Sequence, residues 1–266
     1  MKFKFGLAVF YLLLLNSVGY AQKDSSAQQH ISDSIYNRIA RSGAHSYFSH
    51  RWQNYYDSLL KIEPDNAQYW QLKAMPYFKH RQYEVGMQFL DKAVAIDPKE
   101  WLQYRGFIYC IFAKNYTAAI TDYSLFKKQY GVQVRMEHST NFYLGLSYLM
   151  LNKLDSAKYF FEEDITNSKE SSIHFMNWFY LGIIQYEKEH YEKAIEYFDK
   201  TLKEYSTFSD AQYYKAKCLR YLHKDKEAKE LLLLSRENFM KGYTFTEDNV
   251  VYELYPYQIS KWYFLL

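Results

Sequence analysis

From Asp33 onward, apolar residues return every three or four positions and are interrupted by short polar turns, the pattern of amphipathic helices laid end to end. Residues 68–78 (QYWQLKAMPYF) and 83–96 (YEVGMQFLDKAVAI) show it most clearly, separated by a turn at His80 to Gln82. A turn this short makes the two helices antiparallel neighbours. The same pair returns along the chain. A small residue recurs in the second helix at Gly86, Ala119, Ala157, Ala194 and Ala228, at intervals of 33, 38, 37 and 34. The two longer intervals coincide with polar insertions, Gly131 to Glu137 and Asn167 to Ser172, where a loop can lengthen without disturbing a core. An acidic residue followed by proline, at Glu63-Pro64 and again at Asp97-Pro98, marks the handover between hairpins. Proline lacks a donor and has fixed φ, so it suits the first turn of the next helix. Pro76 departs from this rule by falling inside a helix, where a local kink is expected. One thin hairpin cannot bury its apolar side alone, so a period near 34 predicts a stacked repeat array.

The first clear unit carries Trp70, Ala74, Tyr77, Tyr83, Gly86, Leu90, Ala93 and Pro98; the second carries Gly106, Tyr109, Tyr116, Ala119 and Tyr123, with one extra residue in its inner turn. The third has Leu144, Gly145, Tyr148, Leu154, Ala157 and Phe161, and the fourth Trp178, Leu181, Gly182, Tyr191, Ala194 and Phe198. A weaker fifth keeps Ala216, Ala228 and Leu232, and a degenerate unit ahead of Asn66 keeps Ala40, Tyr56 and Pro64. At these positions the chain resembles the tetratricopeptide repeat family, over roughly residues 31 to 241. Lys73, Gln185 and Ser235 depart from the family pattern. The resemblance implies an all-α, right-handed superhelical solenoid of about five to six antiparallel helix hairpins. Small residues would let paired backbones approach while an aromatic a turn away fills the wedge between diverging helices.

The ends read differently. Lys2 and Lys4 precede an apolar run from Phe5 to Leu15 and a small-residue stretch ending at Ala21, the layout of a signal peptide on residues 1–21. That run is too short for the roughly 20 residues of a membrane-spanning helix, so no permanent span is expected in the mature chain. Gln22 stands where a bacterial lipoprotein would carry cysteine. The expected organisation is therefore an exported chain, periplasmic or secreted, with a flexible stretch at 22–30, a degenerate hairpin at 31–65, a repeat array at 66–245 and an aromatic cap at 246–266. Removing residues 1–21 takes away two lysines, leaving 31 basic against 30 acidic residues. That balance offers no basic footprint for nucleic acid. Cys110 and Cys218 lie far apart in sequence and read as buried free thiols.

Motifs for chemistry are missing: there is no HExxH, GxSxG, CxxC or glycine-rich phosphate loop, so no enzyme, cofactor or metal is expected. Glu162, Glu163 and Asp164 fan around a helix and read as a solvated surface, and His174 and His190 read as exposed. The resemblance instead implies binding by shape, with the first helix of each unit lining a groove for a peptide or protein partner. Carried over unit by unit, the groove positions are Gln71, Met75 and Phe78; Gln103 and Phe107; Phe142, Leu146 and Leu149; Phe179, Ile183 and Tyr186; and Tyr213, Lys217 and Arg220. The lysine, asparagine and arginine clamp of chaperone-binding members is absent from the corresponding positions. An aromatic groove derives affinity from burying hydrocarbon. The alternative is an accessory subunit assembled through its convex face or its aromatic tail, with the groove empty or self-occupied.

Overall fold

The computed structural model describes residues 33–34, 49–168, 174–247 and 249–264. The leader, the stretch at 22–30 and residues 31–32 and 35–48 of the degenerate hairpin, Ala40 included, lie outside the described residues. The protein is all-α, a solenoid of helical repeats. Its only β-structure among the described residues is one small hairpin. The chain forms two compact units, Met1–Pro98 and Lys99–Leu266.

In the first unit, α1 (His50–Ile62) is followed by α2 (Ala67–Lys79) and α3 (Tyr83–Ile96). Ser49 caps α1 and Asn66 caps α2, each side chain accepting a main-chain N–H of the first turn. Trp52, Tyr56, Leu59, Leu60 and Tyr69 form the core between α1 and α2. Pro76 is accommodated here by a neighbour. The carbonyl of Leu72, four residues earlier, receives no bond from proline and instead accepts one from the Trp52 indole at 2.8 Å. Lys73 is likewise explained, since it pairs with Asp57 on α1.

The second unit begins one residue into α4 (Pro98–Phe107) and continues with a π-helical turn (Ile108–Phe112), α5 (Tyr116–Tyr130), strands β1 (Val134–Arg135) and β2 (His138–Ser139), then α6 (Thr140–Met150), α7 (Leu154–Asn167), α8 (Phe175–Glu187), α9 (Tyr191–Glu204), α10 (Ser209–Tyr221), α11 (Asp225–Met240) and a final 3-10 turn (Lys261–Phe264). The pairs α6/α7, α8/α9 and α10/α11 are the repeat hairpins. In addition, α6 touches α8 and α8 touches α10, so successive first helices form one face.

The inner turns share one geometry, with positive φ at Arg81, Asn152, Glu189 and His223 and at Lys114 in the second repeat. Four of them close with an N–H bonded five residues back, as in Lys153 to Tyr148 and His190 to Gln185. Asn115 instead reaches six residues back, to Tyr109. The extra residue expected in that inner turn is therefore absorbed inside the helix, as the π turn.

Small residues admit large ones where expected. A Cβ built on Gly182 would lie 2.6 Å from the Phe198 ring, and one on Gly106 2.9 Å from Tyr123. In the first unit the roles are exchanged, Gly86 of α3 facing Phe78 of α2. Two repeats also carry the same outer stack: Trp70 on Phe89 with Lys92 above, and Trp178 on Tyr197 with Lys200 above. Asp164 is not the solvated carboxylate expected from the sequence. It is buried, accepting from Ser139 at the start of α6 and from Asn177 of α8 at 2.9 Å, and so ties consecutive hairpins together. The remaining departures are satisfied too: Gln185 meets His190 at 3.1 Å, and the Ser235 hydroxyl donates to the Ser209 carbonyl at 2.8 Å.

Candidate functional site

The face formed by α6, α8 and α10 is occupied by the chain's own C-terminal segment. Gly242, with φ of 85°, ends α11 and turns the chain back. The tail first runs outward. Tyr243 accepts from the Ser209 amide at 2.9 Å, Thr244 donates to Asp210 at 2.8 Å, and Phe245 packs against Phe179 and Phe208. Glu247 reaches His138 at 3.3 Å, and the Leu254 carbonyl accepts from Lys114 at 2.7 Å. It then returns: the Pro256 carbonyl accepts from the Tyr180 hydroxyl at 3.0 Å, Tyr257 packs on Tyr214, the Ile259 amide donates to Asp210 at 2.7 Å, and Tyr263 meets Tyr213 edge-on. The segment thus reaches well beyond the end of the last hairpin. Three main-chain groups of an irregular segment are read by side chains of the repeats, which is the physics of peptide recognition.

Burial sorts the expected groove positions. In the first unit, Gln71 and Phe78 are buried, Phe78 against Gly86, and Met75 is half-buried. In the second unit, Gln103 is buried and donates to Thr140 at 2.7 Å, and Phe107 is buried against Phe112 and Tyr143. Phe142, Leu146, Leu149, Phe179 and Ile183 are all buried, Phe142 beneath the His138 ring and Phe179 beneath Phe245. Tyr186, Tyr213 and Lys217 are half-buried and Arg220 is exposed. Tyr213, Lys217 and Arg220, with Tyr221, His223 and Tyr263, line a cavity of about 880 Å³ between α10, α11 and the end of the tail. Lys217 lies over the rings of Tyr186 and Tyr213. This end of the face is open, cationic and aromatic.

Two buried polar groups under the tail are absent from the sequence reading. Asp210 is fully buried, and desolvation raises its carboxyl from 3.8 to about 7 despite the bonds it accepts from Ile259, Thr244 and Ser209. His138 is buried too, stacked on Phe142 at 3.8 Å and edge-on to His174 at 4.7 Å. His174 is not exposed as expected. Its ring is packed against His138 and Phe175, and desolvation with the neighbouring His138 lowers its pKa to about 4. The available signal was the Glu137-His138 pair at the end of a polar insertion, yet only the fold shows that Glu247 meets it.

Repeated antiparallel hairpins, presenting one face through successive first helices, define a helical-repeat scaffold for protein interaction. Residues 176–208, the hairpin α8/α9, match the tetratricopeptide repeat family. No curated protein sequence matches the chain. Among solved structures, PilW, described as a widely conserved type IV pilus biogenesis factor, is similar at 14% identity and a TM-score of 0.62, over 85% of this chain and 98% of that one. PilF of Pseudomonas aeruginosa is similar at 16% identity and a TM-score of 0.57, over 83% and 98%. YrrB, described as a TPR protein with an unusual peptide-binding site, is similar at 15% identity and a TM-score of 0.50, over 69% and 91%. One hairpin of the chain thus matches the tetratricopeptide repeat family, and the fold is shared with these solved structures.

Proposed function

We propose that this is an exported scaffold, without catalysis of its own, that binds an extended segment of a protein partner along the face of α6, α8 and α10. Its own tail holds that place in cis until the partner displaces it. The observation that carries this reading is the side-chain recognition of the tail's main chain at Leu254, Pro256 and Ile259. Main-chain recognition is tolerant of sequence, so a foreign segment can satisfy the same donors and acceptors. The open cavity at Tyr213, Lys217 and Arg220 is where an incoming segment would first gain contact, its cations favouring an acidic or C-terminal stretch. Peptide binding by the similar YrrB fold supports the assignment, and the leader-like residues 1–21 support export.

Crosslinking in the native compartment tests it. Lys217→Glu with Arg220→Glu should lower partner capture, and deletion of residues 247–266 should raise it, with helicity intact in both. Unchanged capture by the charge variant, together with loss of capture on deletion, would favour assembly through the tail itself.

A further inference from the structure

We propose that Glu137, His138 and Glu247 hold a divalent transition-metal ion of the zinc type, fastening the tail to the hairpin ahead of α6. The ligand atoms of the three residues lie within 4.8 Å of one another. A tetrahedral ion with bonds of about 2.1 Å holds its ligands roughly 3.4 Å apart, so the widest pair must close by up to about 1.4 Å, within reach of a side-chain rotation. Exposed Glu137 can supply it. The His138 Nε2 to Glu247 Oε1 separation of 3.3 Å is long for a hydrogen bond. It is close to the roughly 3.4 Å edge of a tetrahedron built on such bonds.

A second observation points to a cation. Glu247 is buried, and its Oε2 has no hydrogen-bond partner among the described residues. A buried carboxylate oxygen left without a donor is costly, and a metal ion is one of the few neighbours that satisfies it. The other two ligands are pre-positioned. Glu137 occupies a tight turn, with positive φ at Met136 and Glu137, closed by the Arg135 and His138 pairing. The Tyr143 hydroxyl donates to the Met136 carbonyl. Phe142 and His174 fix the His138 ring on two sides. One imidazole with two carboxylates suits zinc or a similar first-row ion better than calcium, which takes six to eight oxygens.

The ion would bridge the tail to the repeats, so occupancy would hold the face closed. That consequence rests on the proposed role of the tail, whereas metal binding does not. The test titrates the untagged, metal-stripped full chain with Zn²⁺ against a chromophoric chelator, with Ca²⁺ as control. One Zn²⁺ site is expected, weakened at least about tenfold in Glu137→Gln and further in Glu247→Gln, since even loss of a supporting contact costs that much. Because Glu137 is exposed, its variant perturbs the fold less than one at buried Glu247, and circular dichroism checks the helicity of both. Absence of a Zn²⁺ site, or a site of equal affinity in both variants, overturns the proposal. Partner capture in the charge variants above reads the scaffold function separately.

Discussion

Replacing Asp210 by asparagine should remove a pH dependence from docking of the tail. Asp210 sits at the start of α10, where its two oxygens accept from the Thr244 hydroxyl and the Ile259 amide, both tail groups. Burial raises its pKa from 3.8 to about 7. Between those values the docked state keeps a proton that the open state gives up. The stabilisation is therefore complete below pH 3.8 and is lost as pH rises through 7. At about 1.4 kcal/mol per unit the whole effect is at most about 4 kcal/mol, reached when opening returns Asp210 fully to water, and the share falling between pH 5 and 8 is at most about 2 to 3 kcal/mol. Asparagine keeps a carbonyl acceptor for Ile259 and cannot ionise. The assay is amide hydrogen exchange at Ile259 and neighbouring tail residues, with wild type and Asp210→Asn measured at the same pH so that intrinsic rates cancel. The opening free energy of the wild type should fall relative to the variant by the stated amount from pH 5 to 8. A constant difference, or a wild type that gains on the variant with rising pH, refutes the argument.

Tyr180→Phe removes the bond to the Pro256 carbonyl and should loosen the tail by about 0.5 to 1.5 kcal/mol in the same exchange experiment, leaving helix content unchanged. Gly182→Ala places a methyl group 2.6 Å from the Phe198 ring. Overpacking costs about 1 to 3 kcal/mol, more than the helix-propensity gain of about 1, so denaturant stability should fall. Phe198→Leu in the same chain should recover part of that loss, and a Gly182→Ala protein more stable than wild type would show that the close approach is not limiting. Cys110 and Cys218 are free and buried, and burial pushes both thiols up to about 12. Neither should react with a thiol reagent at pH 8 in the native protein, while both should react once it is unfolded.

The repeat architecture was legible because it is written in local, periodic features. Gly106, Gly145 and Gly182 each face an aromatic in the partner helix, and such pairs recur at a readable interval. The π turn was half legible: the extra residue in the second repeat could be counted, but whether a turn or a helix absorbs it depends on packing around Ile108–Phe112. Asp164 misled because adjacent carboxylates on a helix normally face water. Its burial follows from Ser139 of β2 and Asn177 of α8, residues that no local pattern connects to it. The path of the tail was the least legible part. Residues 243–264 have no period, and their course is set by bonds to Lys114, Tyr180 and Asp210, up to 140 positions away in sequence. The aromatic positions assigned to a groove follow the same logic: Phe142 and Phe179 lie on the face of first helices, but Phe142 is covered by His138 of the β hairpin and Phe179 by Phe245 of the tail.

In the proposed function the tail and the partner compete for one face, so a synthetic peptide of residues 244–264 should compete with the partner as well. Partner bound to a chain truncated after Tyr243, its helicity verified by circular dichroism, should be displaced by the peptide, and the full chain should capture less partner than the truncated one. Equal capture by both chains, with no displacement by the peptide, would contradict the claim.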